Sequence, residues 1–495
     1  MMFNSSDIKK ELFEKSCFCF LIFLPIAAVT FDLDNDIWFL LSHGRYVVTE
    51  GIPYVEPLTI HRAFSFVMQQ WLSSVIFYKI YYKFGKIGLI GLLVVLSFVI
   101  ACLIFFLGLI CSEKKLKTSS LCSFVSNLGI CLWFVQTRPQ VLTYIIILIE
   151  ILALELYVQK EKTRYLLPLP FLSLLQINLH ASMWGLLFVF ILPYFVNAFS
   201  FKWFVFSSKG YKKSPLIIAT LLMFVIGFVN PYGKDAMLYV LSSYGQELID
   251  NTVTEMASLT IKEFHGIYFF VIVFLTALLF KGSAKTKFNV RYALLFVGTA
   301  LLSLLSQKSL AYFFIGCIPF LSNLLSEFDD SIVLFNENQR RNLFIKRFLP
   351  IYFVLVLVVS LGIRVSSYNE NKSYPGSKGA IDYLAEYVED AESLEIYTNY
   401  TDGGYAEYKG FKVYMDARAE VFIKANNNKE DVFFEYVCLQ EGELHYLDFL
   451  DKYSFDYIVV DNTDLLGCYL QKDDNFVVIY KDDLSQIYTK IKGEI

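Results

Sequence analysis

Charge is scarce in this chain: Asp, Glu, Lys and Arg fill 18% of its 495 positions, against 56% apolar and 17% aromatic residues. With a mean hydropathy of +0.50, the composition excludes an ordinary soluble domain, which has no use for so much apolar surface. Phosphate-loop and dinucleotide fingerprints are absent. No cysteine spacing suits a metal, and Cys17, Cys19, Cys102, Cys111, Cys122, Cys131 and Cys317 lie in or beside apolar runs, where cysteine acts as a small hydrophobe. Cys438 and Cys468 could pair in an oxidising compartment. Internal repeats of the transporter kind are missing. Finally, no apolar run long enough to cross a bilayer follows residue 364, a span needing roughly 20 such residues.

Many such runs precede residue 364, so the chain divides into a membrane part (1–364) and a tail (365–495). The first holds 31 of the 43 Lys and Arg and 21 of the 47 Asp and Glu, leaving an acidic tail. That balance argues against nucleic acid or anionic lipid as the tail's partner. About eleven spans are expected, at 16–31, 88–112, 119–135, 140–158, 164–178, 181–200, 215–229, 266–280, 290–306, 309–326 and 347–364. The run Cys17 to Val29 reads as an uncleaved anchor, with so many spans behind it. Basic segments (Lys9, Lys10 and Lys15, then EKKLKTS, QKEKTR, SSKGYKK, KGSAKTK and QRRNLFIKR) all fall on one side when the spans alternate. By the positive-inside bias that side is the cytoplasm. The N-terminus is then cytoplasmic in the plasma membrane, and the tail extracytoplasmic. The fold class expected is a polytopic α-helical membrane protein with a C-terminal extracytoplasmic α/β domain.

The outer face receives the unusual residues. DLDNDIWFLLSHG places Asp34 and Asp36 just past the first span, ahead of Trp38 to Leu41, which read as a partly buried amphipathic segment in the interface. A partly desolvated carboxylate there suits a general base, although two solvated acids ending a helix is the plainer reading. QTRPQ puts Arg138 between two spans, either snorkelling to headgroups or clamping a phosphate bidentately. INLHA brings Asn178 and His180 into a tight turn as helix caps or as phosphate or acceptor ligands. NPYG (230–233) is mainly a turn signal. Lys308 in SQKS is a lone cation, for headgroup or substrate phosphate, and Glu255 is a weaker candidate. The stretch 71–85, with Trp71, Tyr78, Tyr81 and Tyr82 among lysines, reads as an interfacial helix that anchors the first loop or floors a lipid groove. Carboxylates and cations converging on one face could activate a nucleophile and hold an anionic leaving group.

DNDIWFLLSHGRYVVTEGIPYVEPLT, QQWLSSVIFYKIYYKFG, RPQVLTY, INLH, NPYG and YTNYTDGGYAEYKGFKVYMDAR resemble, in the same order, segments of bacterial membrane proteins of the GT-C glycosyltransferase superfamily. The resemblance implies transfer of a sugar from a polyprenyl-phosphate donor to an extracytoplasmic glycan, lipid or protein acceptor, with inversion. It implies Asp36 as base and Asp34 as its neighbour. The family often has His where Leu40 stands and a His-Glu pair where this chain has Gln69 and Gln70. Glu56 is the residue that could compensate, and no cofactor is certain, although a divalent metal is possible. Membrane lipid is a further expected partner and nucleic acid is not. Rival readings are a non-enzymatic transporter or flippase, and a polymerase, of lipid-linked glycans.

In the tail, periodicity predicts helices at GAIDYLAEYVED, NNKEDVFFEYV and GELHYLDFLDKY, and strands at LEIYTNY, FKVYMD, FDYIVVD and FVVIYKD. DGGY (402–405) suits a turn of positive φ. The domain is expected to be a packing lid or a binder of acceptor or glycan, with Asp402, Asp416 and Arg418 as candidate residues.

Overall fold

The computed structural model describes residues 15–30, 32–243, 246–283, 287–331 and 376–491. The expected span 347–364 and the basic segment at 339–347 lie outside the described residues. Helix α1 (Lys15–Ala28) leads into α2 (Ile37–Thr49), then α3 (Trp71–Cys111), α4 (Leu116–Trp133), α5 (Gln140–Lys160), α6 (Pro168–Leu179), α7 (Trp184–Asn197) and α8 (Ser214–Ile226). After α9 (Lys234–Ser243) and α10 (Glu247–Thr252) come α11 (Phe264–Gly282), α12 (Val290–Leu305), α13 (Leu310–Gly316) and α14 (Ile318–Leu325). Four described stretches are long and apolar enough to cross a membrane: Trp71–Cys111, Gln140–Lys160, Phe264–Gly282 and Gln307–Asp329. The apolar stretch spanning α6 and α7 is divided at His180, as the short runs either side of NLHA suggested.

Helix α3 joins the amphipathic stretch 71–85 to the apolar run that follows. Gly85, at φ 60° and ψ −157°, breaks the helical path there, a backbone state open to glycine alone at little cost, and so separates the two segments. Within the bundle a bidentate ion pair, Arg291 Nε and Nη2 to Glu155 at 2.8 and 2.9 Å, ties α12 to α5, with Tyr194 and Tyr292 hydroxyls completing the carboxylate's partners at 2.9 Å each. Such pairing offsets the cost of burying these charges in an apolar bundle. A small sheet that the sequence did not suggest, β1 (Ser200–Trp203), β2 (Phe206–Lys209) and β3 (Phe288–Asn289), joins two of the basic segments.

The tail contains α15 (Lys378–Tyr387), β4 (Glu395–Tyr397), α16 (Gly403–Lys409), β5 (Lys412–Val413), α17 (Lys424–Asn427), α18 (Val432–Glu441), α19 (Tyr446–Lys452), β6 (Tyr457–Asp461), α20 (Leu465–Leu470), β7 (Phe476–Lys481) and β8 (Ser485–Lys490). Its sheet runs β5-β4-β6-β8-β7, parallel over the first three strands and antiparallel thereafter. The first loop extends this sheet: Ile60 N–H donates to Val413 O at 3.0 Å, and Val413 N–H to Leu58 O at 3.3 Å. Cys438 and Cys468 are both unpaired.

Two expectations change. Trp38 to Leu41 do not lie in the interface; they are buried on α2, which is packed between α3 and α16, with Trp38 edge-on to Tyr81 at 6.0 Å and Tyr405 at 5.0 Å. An apolar run with acids at one end serves a buried helix as well as an interfacial one, and only the tail's packing decides. DGGY is not a turn of positive φ but the start of α16. Its glycine is needed for closeness: a Cβ on Gly403 would lie 1.9 Å from the Met415 carbonyl oxygen. Gly403→Val is therefore expected to lower stability by roughly 1–3 kcal/mol or more, read as a fall in thermal midpoint in detergent. Gly298→Ala, where a Cβ meets nothing within 4 Å, should leave the midpoint unchanged or raised.

Candidate functional site

A chamber of about 530 Å³ lies where the first loop, the interhelical turns and the tail meet. Asn35 and Asp36 enter it from the start of α2, Arg138 and Gln140 from the start of α5, and His180 from the break between α6 and α7. Glu255 enters from the segment after α10, Lys308 from between α12 and α13, and Tyr400, Arg418 and Glu420 from the tail. Six residues singled out in the sequence thus share one wall-lined space: Asp36, Arg138, His180, Glu255, Lys308 and Arg418.

Arg138 is the centre of the charge pattern. Its Nε donates to Asp34 at 2.7 Å, its Nη1 to Glu255 at 2.8 Å, and its Nη2 lies 3.2 Å from Asp36 Oδ2 and 3.2 Å from Asp34 Oδ2. Asp34 is further held by its own N–H donating to Thr137 Oγ1 at 3.0 Å, and it stands behind Asp36 rather than in the chamber. One guanidinium faces three carboxylates, so the pair attractions do not cancel the repulsions among the acids. Burial pushes the Asp36 carboxyl up to about 7; Arg138 opposes that shift, and Asp34 and Glu255 reinforce it. Glu255, where burial also works upward, is held below its usual range by Arg138 and Lys308. Arg138 therefore serves carboxylates first, and is not the free phosphate clamp that its position between spans suggested.

His180 is a neutral donor rather than a cation. Burial and the charge of Lys308 bring its imidazole down to about 3. Gln176 Nε2 donates to Thr143 Oγ1 at 3.0 Å, which assigns the threonine hydroxyl hydrogen to His180 Nδ1, also 3.0 Å away. That pattern leaves His180 Nε2 as the N–H donor. Lys308 forms no hydrogen bond or ion pair with the described residues and is the free cation of the chamber. Asn178 takes the capping role: it accepts from Trp71 Nε1 at 3.0 Å and donates to Leu174 O and Val229 O at 2.9 Å. It does not line the chamber. Asn230 of NPYG folds its own turn, donating to Gly227 O and Gly233 O and accepting from Tyr232 N–H.

Glu56 also lies outside the chamber, in a buried cluster that fastens the first loop to the tail. Arg418 Nη1 donates to Glu56 at 2.9 Å and its Nε to Asp416 at 2.9 Å, while Nη2 stands 3.6 Å from Glu407. His43 Nε2 is 3.3 Å from Glu56. Burial alone would raise the Glu56 carboxyl, but Arg418 and His43 overcome it and hold it at about 2. Among the tail candidates, Arg418 reaches the chamber and Asp416 positions it; Asp402 is buried beside Asn399 and Thr401, away from the chamber.

Some chamber residues had no sequence signal. Glu420 lies in a tail segment whose apolar and acidic residues alternate without pattern. Asn35 stood between two aspartates that drew the attention. Asn35 Oδ1 and Gln140 Oε1 are buried acceptors with no protein partner. As for a metal, the three carboxylates nearest one another surround a guanidinium, and no trio of His, Cys, Asp or Glu among the described residues is placed to hold an ion. With Arg138 taking up Asp34, Asp36 and Glu255, these donors do not fit one.

No protein-family model matches the chain, and no curated protein matches it in sequence. Solved structures do. ArnT from Cupriavidus metallidurans, bound to undecaprenyl phosphate, aligns over 97% of this chain and 98% of its own with a TM-score of 0.53 at 9% identity. The oligosaccharyltransferase of Archaeoglobus fulgidus, in complex with Zn and sulfate, aligns over 95% of this chain and 73% of its own, with a TM-score of 0.49 at 12% identity. The chain shares the fold of ArnT, and four of its described stretches are long and apolar enough to cross a membrane.

The Arg418 cluster makes a separate prediction. Arg418→Met leaves Glu56, Asp416 and Glu407 buried without their counter-charge, which should cost about 3–5 kcal/mol. Thermal unfolding and limited proteolysis check it, with early release of the tail as the expected outcome.

Proposed function

We propose that the protein is a membrane glycosyltransferase that moves a sugar from a polyprenyl-phosphate donor to an extracytoplasmic acceptor, using the chamber as its active site. The observation that carries the reading is the meeting of Asp36, its carboxyl poised near neutrality, with an unpaired lysine and a neutral imidazole donor in one chamber of a GT-C fold. ArnT holds undecaprenyl phosphate, and a lipid phosphate is the ligand that Lys308 and His180 suit here. In the reaction an acceptor oxygen attacks the anomeric carbon, the bond from that carbon to the phosphate oxygen breaks, and the electron pair leaves on the phosphate. Asp36 takes the acceptor's hydroxyl proton. Lys308 and the His180 N–H receive the growing phosphate charge. Direct displacement inverts the anomeric centre. In this reading residues 1–364 form the transferase part and 365–495 an extracytoplasmic domain that closes the chamber, with the N-terminus in the cytoplasm.

Asp36→Asn should lower turnover of lipid-phosphate sugar by about 10²–10⁴-fold in membrane vesicles while donor still binds. Persistence of wild-type turnover in that variant would overturn the assignment. Because a base must be ionised to act, kcat/KM should rise with pH through about 7 and level off above it. Lys308→Met should weaken donor binding about tenfold or more, seen as a raised KM.

A further inference from the structure

Gln69 and Gln70, two neutral side chains just ahead of Trp71, line the chamber. The structure brings a carboxylate to that place from the other end of the chain. Glu420 enters the chamber from the tail, and Gln69 Nε2 lies 3.4 Å from its Oε1. Gln69 is itself fixed to the turn that carries His180: its backbone oxygen accepts from Ala181 N–H at 2.8 Å and its side-chain oxygen from Ser182 N–H at 3.2 Å. Asn426 Nδ2 donates to the Glu420 carbonyl at 2.6 Å, which anchors the tail segment. Besides Gln69 and its own backbone N–H, no described residue donates to the Glu420 carboxyl, which burial raises above its ordinary range, so it has capacity for a ligand.

The chemistry of that ligand follows from charge. A carboxylate repels the phosphate that Lys308 attracts, so Glu420 must meet an uncharged part of the substrate. Lys308 acts electrostatically on Asp36, His180 and Glu420 alike, which sets all three about the phosphate anchor. The group that hangs directly from that phosphate is the sugar, whose neighbouring hydroxyls are donors for a carboxylate's two oxygens. Asn35 Oδ1, the buried acceptor beside Asp36, has the same requirement for a donor.

We propose that Glu420 binds hydroxyl groups of the donor sugar, making the C-terminal domain a specificity-determining wall of the active site. The inference rests on the transferase reading and deepens it.

The experiment uses full-length protein in detergent or nanodiscs with glucosyl, mannosyl and galactosyl phosphates of a synthetic polyprenol and their mono-deoxy analogues. With the sugar that wild-type turns over, Glu420→Ala should lower kcat/KM about 10- to 150-fold. Removal of the hydroxyl that Glu420 holds should then carry a large penalty in wild-type and little further penalty in the variant. Glu420→Gln should recover part of the loss, and the rise of kcat/KM through about pH 7 that belongs to Asp36 should stay in both. A Glu420→Ala protein within twofold of wild-type, or one that keeps the full penalty for every deoxy donor, overturns the proposal. Donor binding, read as thermal stabilisation by intact donors and their deoxy analogues, separates the two ideas. If no donor is consumed yet stabilisation depends on Glu420 and on one hydroxyl, the transferase reading falls and the sugar site stands; if turnover depends on Asp36 alone, the reverse holds.

Discussion

The arrangement rests on one guanidinium shared among three carboxylates. Arg138 sits just ahead of α5, before the Pro139 cap, and draws in Asp34 and Asp36 from the first loop and Glu255 from the segment after α10. With side chains only 13% to 43% exposed, these groups lie where water screens little, so their repulsions matter as much as their attractions. A single pair would have locked Asp36 in its ionised form and made it a poor base. Desolvation, reinforced by Asp34 and Glu255 against the pull of Arg138, brings it to about 7 instead.

A second arginine does the same for the opposite wall. Arg418 collects Glu56 from the first loop and Asp416 and Glu407 from the tail, and stacks its guanidinium over Phe39 and Phe66 at 5.5 and 5.3 Å. Here the carboxyl of Glu56 is driven down to about 2, the opposite outcome from Asp36. The contrast follows from closeness of partners: Glu56 has both Arg418 and His43 against it and a backbone N–H from Leu58 at 3.2 Å, while Asp36 shares its arginine and is a quarter exposed to the chamber. One arginine poises a group and the other fastens a domain. Gln69 straps the two walls together, touching Glu420 on one side and the His180 turn on the other.

Much of this was legible. Apolar runs located the helices because nothing but membrane or core explains them, and tail strands such as FDYIVVD declared themselves by β-branched content, YIVVD becoming the central strand β6. That Asp36, Arg138, His180, Glu255 and Lys308 should meet was readable from their shared side of alternating spans. Their partners were not. Arg138 paired to acids rather than freed for phosphate, and Glu56 withdrawn into the Arg418 cluster, depend on which side chains lie within 3 to 4 Å across more than a hundred residues of sequence, which no periodicity encodes. Arg291 and Glu155 show the same limit: no spacing in the sequence links them, and only the packing of α12 on α5 makes them one bidentate pair. The β8 strand was missed because SQIYTK is short and follows an acidic turn, with its burial set by β6 and β7 on either side.

The charge pattern also bears on how a transfer reaction would proceed in this chamber. A lipid phosphodiester carries one negative charge, and the phosphate that leaves gains a second as the anomeric bond breaks. In a space already rich in carboxylates that gain would be opposed. In the proposed step, however, the proton from the acceptor hydroxyl would go to Asp36 and remove one carboxylate charge as the phosphate charge appears, so the total charge of the chamber would be unchanged. Lys308, with no carboxylate partner among the described residues, then needs only to hold its charge beside the phosphate, and His180, kept neutral by burial and by Lys308, donates without adding a positive charge that would have to be removed again before the next donor binds.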